Sequence, residues 1–299
     1  MKIMIKKEEV KKNSSTLAKS DDGTIQITFT ISYQEIEKTK EEAAKELSSS
    51  VDVSGFRRGM APLEKVLENI DQNVLLEKSM SKILPGLITR AIEEYKIKPA
   101  IYPKFELINA QEGQDWQIRA TTCELPEIFL GDYKKALSSK RKAGSIWVPG
   151  NDTKKTEKEP TREEKEQIVI KTLLENVKIN ISKVLLDEET NSRLSKLLER
   201  LEKLGLSLDT YLASVGKTAA VLRQEYDAQA KEALTVDLVL TKIAETEKIE
   251  VDNKELESAV TAGKSDPKLV GELDTPERRK FIEVLLKRRK ALDFATSFI

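Results

Sequence analysis

The sequence predicts an α+β protein: an N-terminal α+β domain built on a small antiparallel sheet, followed by an all-α C-terminal domain with helical arms. Three observations lead to this prediction. Segments in which apolar and polar residues alternate, as in half-buried strands, lie before residue 125. From Thr161 onward the apolar residues recur at helical spacing instead. Between these parts, residues 134–160 are polar, densely charged and rich in helix breakers.

Three strands are predicted in the N-terminal part. Residues 24–31 alternate Ile and Phe with Thr and Gln. Residues 101–108 and 116–122 lie on either side of the turn signal Gln111-Glu112-Gly113-Gln114. The first strand and this hairpin can form a three-stranded antiparallel sheet with helices packed on one face. We expect this domain to cover residues 1–133.

Helices are predicted between the first strand and the hairpin. Ser32 followed by Glu35 matches a capping box, which predicts the start of the first helix. Apolar residues at i, i+3, i+4 and i+7 predict a short amphipathic helix over residues 63–70. A longer apolar stripe over residues 80–95 predicts a further helix.

The first two helices are joined by a stretch that reads Gly55-Phe56-Arg57-Arg58-Gly59-Met60-Ala61-Pro62. Glycine adopts positive φ easily, which suits a tight turn, and proline is tolerated in the first turn of a helix. These residues predict a helix–loop–helix tip that exposes Phe56, Arg57 and Arg58. Since an exposed phenylalanine does not stabilise a fold, such a tip is typical of a docking surface. The residues alone leave open an ordinary turn whose Phe56 folds back into the core.

The string GFRRGMAP closely resembles the ribosome-binding signature of the trigger factor family, bacterial chaperones of the ribosomal exit tunnel, which is roughly G-F-R-x-G-x-x-P. Every fixed position of that pattern is present in this sequence. The order of elements over residues 20–133 is also similar to the family's N-terminal domain. The helical part resembles the family's C-terminal domain more loosely, for example at Tyr211-Leu212 and Gly216-Lys217-Thr218. The resemblance implies a ribosome-binding site made of Gly55, Phe56, Arg57, Arg58, Gly59 and Pro62.

The resemblance also implies what the protein does. It implies an ATP-independent chaperone, active in protein folding and transport, that docks near the nascent-chain exit through the tip and holds newly made polypeptides. The implied partners are the large ribosomal subunit, through ribosomal protein and rRNA, and nascent or unfolded polypeptides; free molecules can pair as homodimers. The implied location is the cytoplasm. A single cysteine, Cys123, and an N-terminus without the apolar core of a signal peptide fit that location.

The composition excludes several classes of function. Lys and Arg together number 51, as do Asp and Glu, so the zero net charge gives no general attraction to nucleic acid or to a membrane. Histidine is absent, which removes Ser-His-Asp and Cys-His chemistry and His-ligated metals. No apolar run is long enough for a transmembrane helix. We therefore name no catalytic residue, no metal ligand and no cofactor.

The chain departs from the family between its two domains. Most members carry there a prolyl isomerase module similar to FK506-binding proteins, and a polar stretch as short as 134–160 cannot build such a sheet. We expect a linker or extended arm there, whose apolar island Ile146-Trp147-Val148 has no assigned role. The helical substrate-binding domain then covers residues 161–299. Family naming would attach an isomerase activity to this chain, and we find no residues to carry it.

Two alternative functions remain open. A helical scaffold or adaptor protein would use the same charge-rich helices without binding unfolded clients. A family-named peptidyl-prolyl isomerase would need a catalytic module that the sequence does not display. The chaperone prediction differs from both because it requires a docking tip and surfaces that bind unfolded chains.

Overall fold

The computed structural model describes residues 14–111, 113–143, 161–263 and 275–299. The chain divides into two compact units. The first is Met1–Leu125 with Ser182–Leu185, and the second is Pro126–Ile181 with Leu186–Ile299. The described residues form a sheet and helices in the first unit and helices in the second, which confirms the predicted α+β class.

The first unit contains an antiparallel sheet with strand order β1-β2-β4-β3. Its strands are β1 (Ser14–Lys19), β2 (Thr24–Ile31), β3 (Lys104–Asn109) and β4 (Trp116–Cys123). The predicted three-stranded sheet is corrected in its strand count, because β1 adds a fourth strand beside β2 at the edge. The only apolar residues of β1 are Leu17 and Ala18, so the alternation that reveals a half-buried strand is missing from its sequence.

Helices α1 (Tyr33–Leu47), α2 (Leu63–Asn69) and α3 (Gln72–Tyr95) complete the secondary structure around this sheet. Alternate residues of β2 are buried against α1 and α3, as the two-residue period of a strand requires. Helix α1 begins after Ser32 as predicted, but the Ser32 side chain makes no cap hydrogen bond, so the predicted capping box does not form. The core consists of Ile25, Ile27, Phe29, Ile31, Ile36, Ile83, Leu87, Ile88, Ala91, Ile97, Trp116, Ile118 and Ala120.

The remaining described helices are α4 (Tyr133–Ala143), α5 (Arg162–Asn176), α6 (Lys183–Lys203), α7 (Leu208–Val215), α8 (Ala219–Thr246), α9 (Asn253–Gly263) and α10 (Pro276–Thr296). Local signals explain several of their limits. Thr161 caps α5 through a true capping box, and Gly216 ends α7 with a φ of 65°. Thr275 caps α10, with Pro276 in its first turn. None of the described helices is long and apolar enough to cross a bilayer.

Helix α4 occupies the start of the predicted linker, which corrects that prediction for residues 134–143. Tyr133 and Leu137, one helical turn apart, are buried in a core that α5, α8 and α10 also build. The Tyr133 hydroxyl donates a hydrogen bond of 2.8 Å to Glu247 at the end of α8. Helix α4 is therefore part of the helical unit. The rest of the predicted linker, including the Ile146-Trp147-Val148 island, lies outside the described residues.

We predict that Leu137→Ala destabilises the helical unit by about 2–5 kcal/mol, because Leu137 is 0% exposed and its loss leaves a cavity. Urea unfolding measures the loss in the free energy of unfolding, and amide hydrogen exchange in α5 and α8 shows where the protection is lost. The matched control is Lys135→Ala on the exposed side of the same helix, for which we expect a change within about 0.5 kcal/mol. Equal effects of the two substitutions would contradict the docking of α4.

Candidate functional site

The predicted site lies in the segment between α1 and α2, and we call residues 52–62 the tip. Before the tip, α1 ends at Leu47 and three serines follow. The hydroxyls of Ser48, Ser49 and Ser50 each donate to the carbonyl three positions back, at 2.7, 3.2 and 2.8 Å. These bonds lie on carbonyls of the last helical turn and favour the end of α1 directly before the tip.

Two glycines set the path of the tip. Gly55 has a φ of 84° and Gly59 a φ of 78°, in the left-handed region that favours glycine. The amide of the residue after each glycine donates to the carbonyl three positions back, at 3.1 Å for Phe56 and 2.9 Å for Met60. The chain therefore makes two tight turns in succession, each with its glycine in the third position, where a positive φ is needed.

The tip is tied to the helices at two points. Val53 is 7% exposed and packs in a small apolar cluster, separate from the core at the sheet, to which α1, α2 and α3 all contribute. Further along, the Gly59 amide donates to the Ser48 carbonyl at 3.1 Å. The residues between these two ties, 54–58, are all exposed. The cluster below the tip consists of Ala43, Ala44, Val53, Val66, Ile70 and Leu75.

The ring of Phe56 lies at the surface. Phe56 is 46% exposed and belongs to none of the three buried clusters of the described residues. The alternative that the residues left open, an ordinary turn with Phe56 folded into the core, is therefore wrong. The positive φ of Gly55 and of Gly59 turns the backbone on both sides of the ring.

The two arginines of the tip have different surroundings. Arg58 donates from Nε and Nη2 to the two carboxylate oxygens of Asp52, at 2.6 Å each. These two hydrogen bonds are the main reason that the pKa of Arg58 is raised and the pKa of Asp52 is lowered. Arg57 is exposed and makes no side-chain hydrogen bond or ion pair with any residue that the structure describes. Sequence reasoning missed Asp52, because Asp52 and Arg58 lie outside the helices and strands, where no regular spacing predicts a contact across six residues.

Pro62 lies directly before α2 and not within its first turn. It is the N-cap residue, with a φ of −58° and a ψ of 145°, and its carbonyl accepts from the Val66 amide at 3.1 Å. The fixed φ of proline suits this extended exit from the tip. The prediction of a proline at the helix start is therefore shifted by one position.

The tip offers an aromatic ring, one unpaired guanidinium and one paired guanidinium on a single exposed segment. Arginine binds phosphate and carboxylate groups through paired hydrogen bonds, and aromatic rings fill apolar pockets. This arrangement fits a surface that carries an apolar pocket beside anionic groups. Within the described ranges, no three His, Cys, Asp or Glu side chains are grouped so that they could hold a metal ion.

Two family models match the chain, one after the other. The model described as bacterial trigger factor protein (TF) matches residues 13–146, and the model described as bacterial trigger factor protein (TF) C-terminus matches residues 151–297. Only residues 147–150 lie between the two matched regions.

The curated relatives are named trigger factor, and each aligns over 108 residues. Those of Streptococcus agalactiae serotype Ia and Streptococcus pneumoniae serotype 2 are 32% identical, and that of Streptococcus equi subsp. zooepidemicus is 31% identical. Each alignment covers 36% of this chain and 25% of the relative, so the chain matches a quarter of their length.

A solved structure is similar in fold to most of the chain. It is described as "Promiscuous Substrate Recognition in Folding and Assembly Activities of the Trigger Factor Chaperone". The superposition has a TM-score of 0.61 at 14% identity and covers 95% of this chain and 99% of the other. At this identity the likeness concerns the fold alone.

We predict that Gly55→Ala destabilises the first unit by about 1–2 kcal/mol, because an alanine is strained at positive φ. A Cβ at Gly55 meets no atom within 4 Å, so the loss reports backbone strain and not a clash. The matched control is Gly86→Ala inside α3, where the added Cβ also meets no atom within 4 Å. There we expect a gain of about 1 kcal/mol from helix propensity. Urea unfolding measures both, and a Gly55→Ala variant as stable as the wild type would contradict the left-handed turn.

Proposed function

We propose, because the chain belongs to the trigger factor family, that it is an ATP-independent chaperone that docks on the ribosome through the tip and holds newly made polypeptides. Its partners are then the large ribosomal subunit, through ribosomal protein and rRNA near the exit, and nascent or unfolded chains. We propose that it acts in the cytoplasm, where it takes part in protein folding and transport. We also propose that free molecules can pair as homodimers.

The observation that carries the docking proposal is the half-exposed ring of Phe56 beside an unpaired Arg57. Burying the exposed part of an aromatic ring in a partner's pocket gains about 25 cal/mol per Å² of apolar surface. An arginine next to it adds charge-assisted hydrogen bonds to phosphate or carboxylate groups. Aromatic and arginine residues of this kind dominate the binding energy of many interfaces, so a short tip can carry a specific contact.

The charge of the whole chain supports a local contact. Since positive and negative side chains are equal in number, no net charge draws the protein toward the anionic ribosome from a distance. Attraction must come from charges within about one Debye length of the partner, roughly 8 Å at physiological salt. The tip supplies such charges, because residues 52–62 include two guanidinium groups and a single carboxylate, that of Asp52, which pairs with Arg58 alone among the described residues.

The helical unit supports the holding of unfolded chains. Aliphatic side chains stay exposed from the end of α6, through α7, to the start of α8. Their separation by charged and polar residues suits weak, reversible contacts with many sequences, and such contacts need no nucleotide for release. The exposed aliphatic residues of this region are Leu198, Leu204, Leu206, Val215 and Val221.

We predict that Phe56→Ala and Arg57→Ala each weaken binding to ribosomes by about tenfold or more, because each removes a central contact of the interface. Co-sedimentation of the purified protein with ribosomes, titrated over concentration, measures the change. Binding of the wild type should also weaken as salt rises, since arginine contacts to phosphate displace counterions.

The structure offers a matched control for each substitution. Val74 in α3 is 46% exposed, as Phe56 is, and Lys38 in α1 is an exposed cation of the same unit. Val74→Ala and Lys38→Ala should change ribosome binding by less than about threefold. A tip variant that binds as well as these controls would contradict docking through the tip.

We further predict that the protein suppresses aggregation of a chemically unfolded client in the absence of ribosomes, and that Phe56→Ala does so equally well. The tip and the exposed aliphatic residues of the helical unit lie in different units, so loss of docking should leave client binding intact. Light scattering during dilution of the client from denaturant measures this. A scaffold or adaptor without unfolded clients would suppress no aggregation in either form.

A further inference from the structure

The two arginines of the tip are neighbours in sequence, yet only Arg58 has a partner among the described residues. Asp52 directly precedes the buried Val53. Arg58 directly precedes Gly59, whose amide donates a hydrogen bond to the Ser48 carbonyl at the end of α1. The ion pair therefore connects the residues next to the two points that tie the tip to the helices.

We propose that Asp52 and Arg58 form a brace that fixes the shape of the tip, so that Arg58 positions the tip while Arg57, the cation of the docking proposal, meets the ribosome. This division of roles rests on the proposed docking function. Asp52 is then a positioning residue, and so is Arg58, which the family resemblance had placed among the binding residues.

The geometry of the pair suits a brace. Both carboxylate oxygens of Asp52 accept from the guanidinium, one from Nε and one from Nη2, at 2.6 Å each. Two parallel hydrogen bonds fix the relative orientation of the two planar groups, which a single contact does not. The segment they span contains Gly55, whose backbone freedom is large in the absence of such a restraint.

The pairing also separates the charges that a partner meets. The carboxylate of Asp52 neutralises Arg58, whereas the charge of Arg57 has no counterpart among the described residues. An anionic group of the ribosome that approaches the tip is therefore attracted chiefly by Arg57. Asp52 already occupies the Nε and Nη2 side of the Arg58 guanidinium, so a second anion would meet only its remaining donors and would be repelled by the adjacent carboxylate.

A charge swap tests the proposal. Arg58→Asp alone should weaken ribosome binding by about tenfold, because two carboxylates then face each other and the brace is lost. In the double variant Asp52→Arg with Arg58→Asp, the pair can form again with its partners exchanged. We expect ribosome binding within about threefold of the wild type in this variant.

The matched control is the double variant Asp52→Arg with Arg57→Asp, which has the same net charge but loses the contacting cation. It should stay at least about tenfold weaker than the wild type. The proposal is overturned if the swap at positions 52 and 58 binds as poorly as Arg58→Asp, since Arg58 would then touch the ribosome. It is equally overturned if both double variants recover, since net charge alone would then explain the rescue.

A second readout does not depend on the ribosome. Amide hydrogen exchange of the tip should speed up in Arg58→Asp and return to the wild-type rate in the swap at positions 52 and 58. Unchanged exchange in Arg58→Asp would overturn the brace. A wild type that binds no ribosomes, but whose tip exchange follows the expected pattern, would instead contradict the proposed docking function and leave the brace standing.

Discussion

The position of the tip depends on the packing of Val53 in the apolar cluster below it. The Val53 side chain packs between the helices that flank the tip, while residues 54–60 after it are all exposed. A segment this exposed has few apolar contacts of its own to hold a shape. The left-handed conformations of Gly55 and Gly59 then direct the chain outward and back again. An aromatic ring can thus remain at the surface of a rigid base, where docking costs little further ordering.

The tip places an aromatic ring and two arginines close together in a chain whose positive and negative side chains are equal in number. Because cations and anions are equal in number, net charge attracts no partner over a long distance, so the proposed recognition would depend on a few side chains at short range. The ion pair with Asp52 occupies Arg58, which leaves Arg57 as the cation available to a partner. The two hydrogen bonds of the pair also restrain the shape of the turn. Specificity would then arise from one ring and one guanidinium held at a fixed separation. In the proposed function, the exposed aliphatic residues from the end of α6 to the start of α8 would act by a different principle, in which many weak contacts replace a few defined ones.

Much of the fold follows from patterns in the sequence, and the exceptions have physical causes. The alternation in β2 and the helical stripes predicted the α+β class, and the glycines on either side of Phe56 predicted an exposed tip. Strand β1 was missed because an edge strand needs little apolar sequence. Helix α4 was missed because its dense positive charge is typical of a solvated linker, although Tyr133 and Leu137 lie one helical turn apart and are both buried. The Asp52–Arg58 pair could not be foreseen, because it forms only when the turns bring the two residues together. The role of the tip came from the family resemblance and remains a proposal.

The most direct test of the central claim, that the exposed ring at the tip docks on the ribosome, is site-specific photo-crosslinking from position 56. A photoreactive benzoylphenylalanine in place of Phe56 keeps an aromatic group on the same backbone. With purified ribosomes and light, we expect cross-links to components of the large subunit, and far fewer from the same amino acid at Val74, which is equally exposed. Cross-links from position 56 that stay within the chain, or that match position 74 in yield, would contradict the claim.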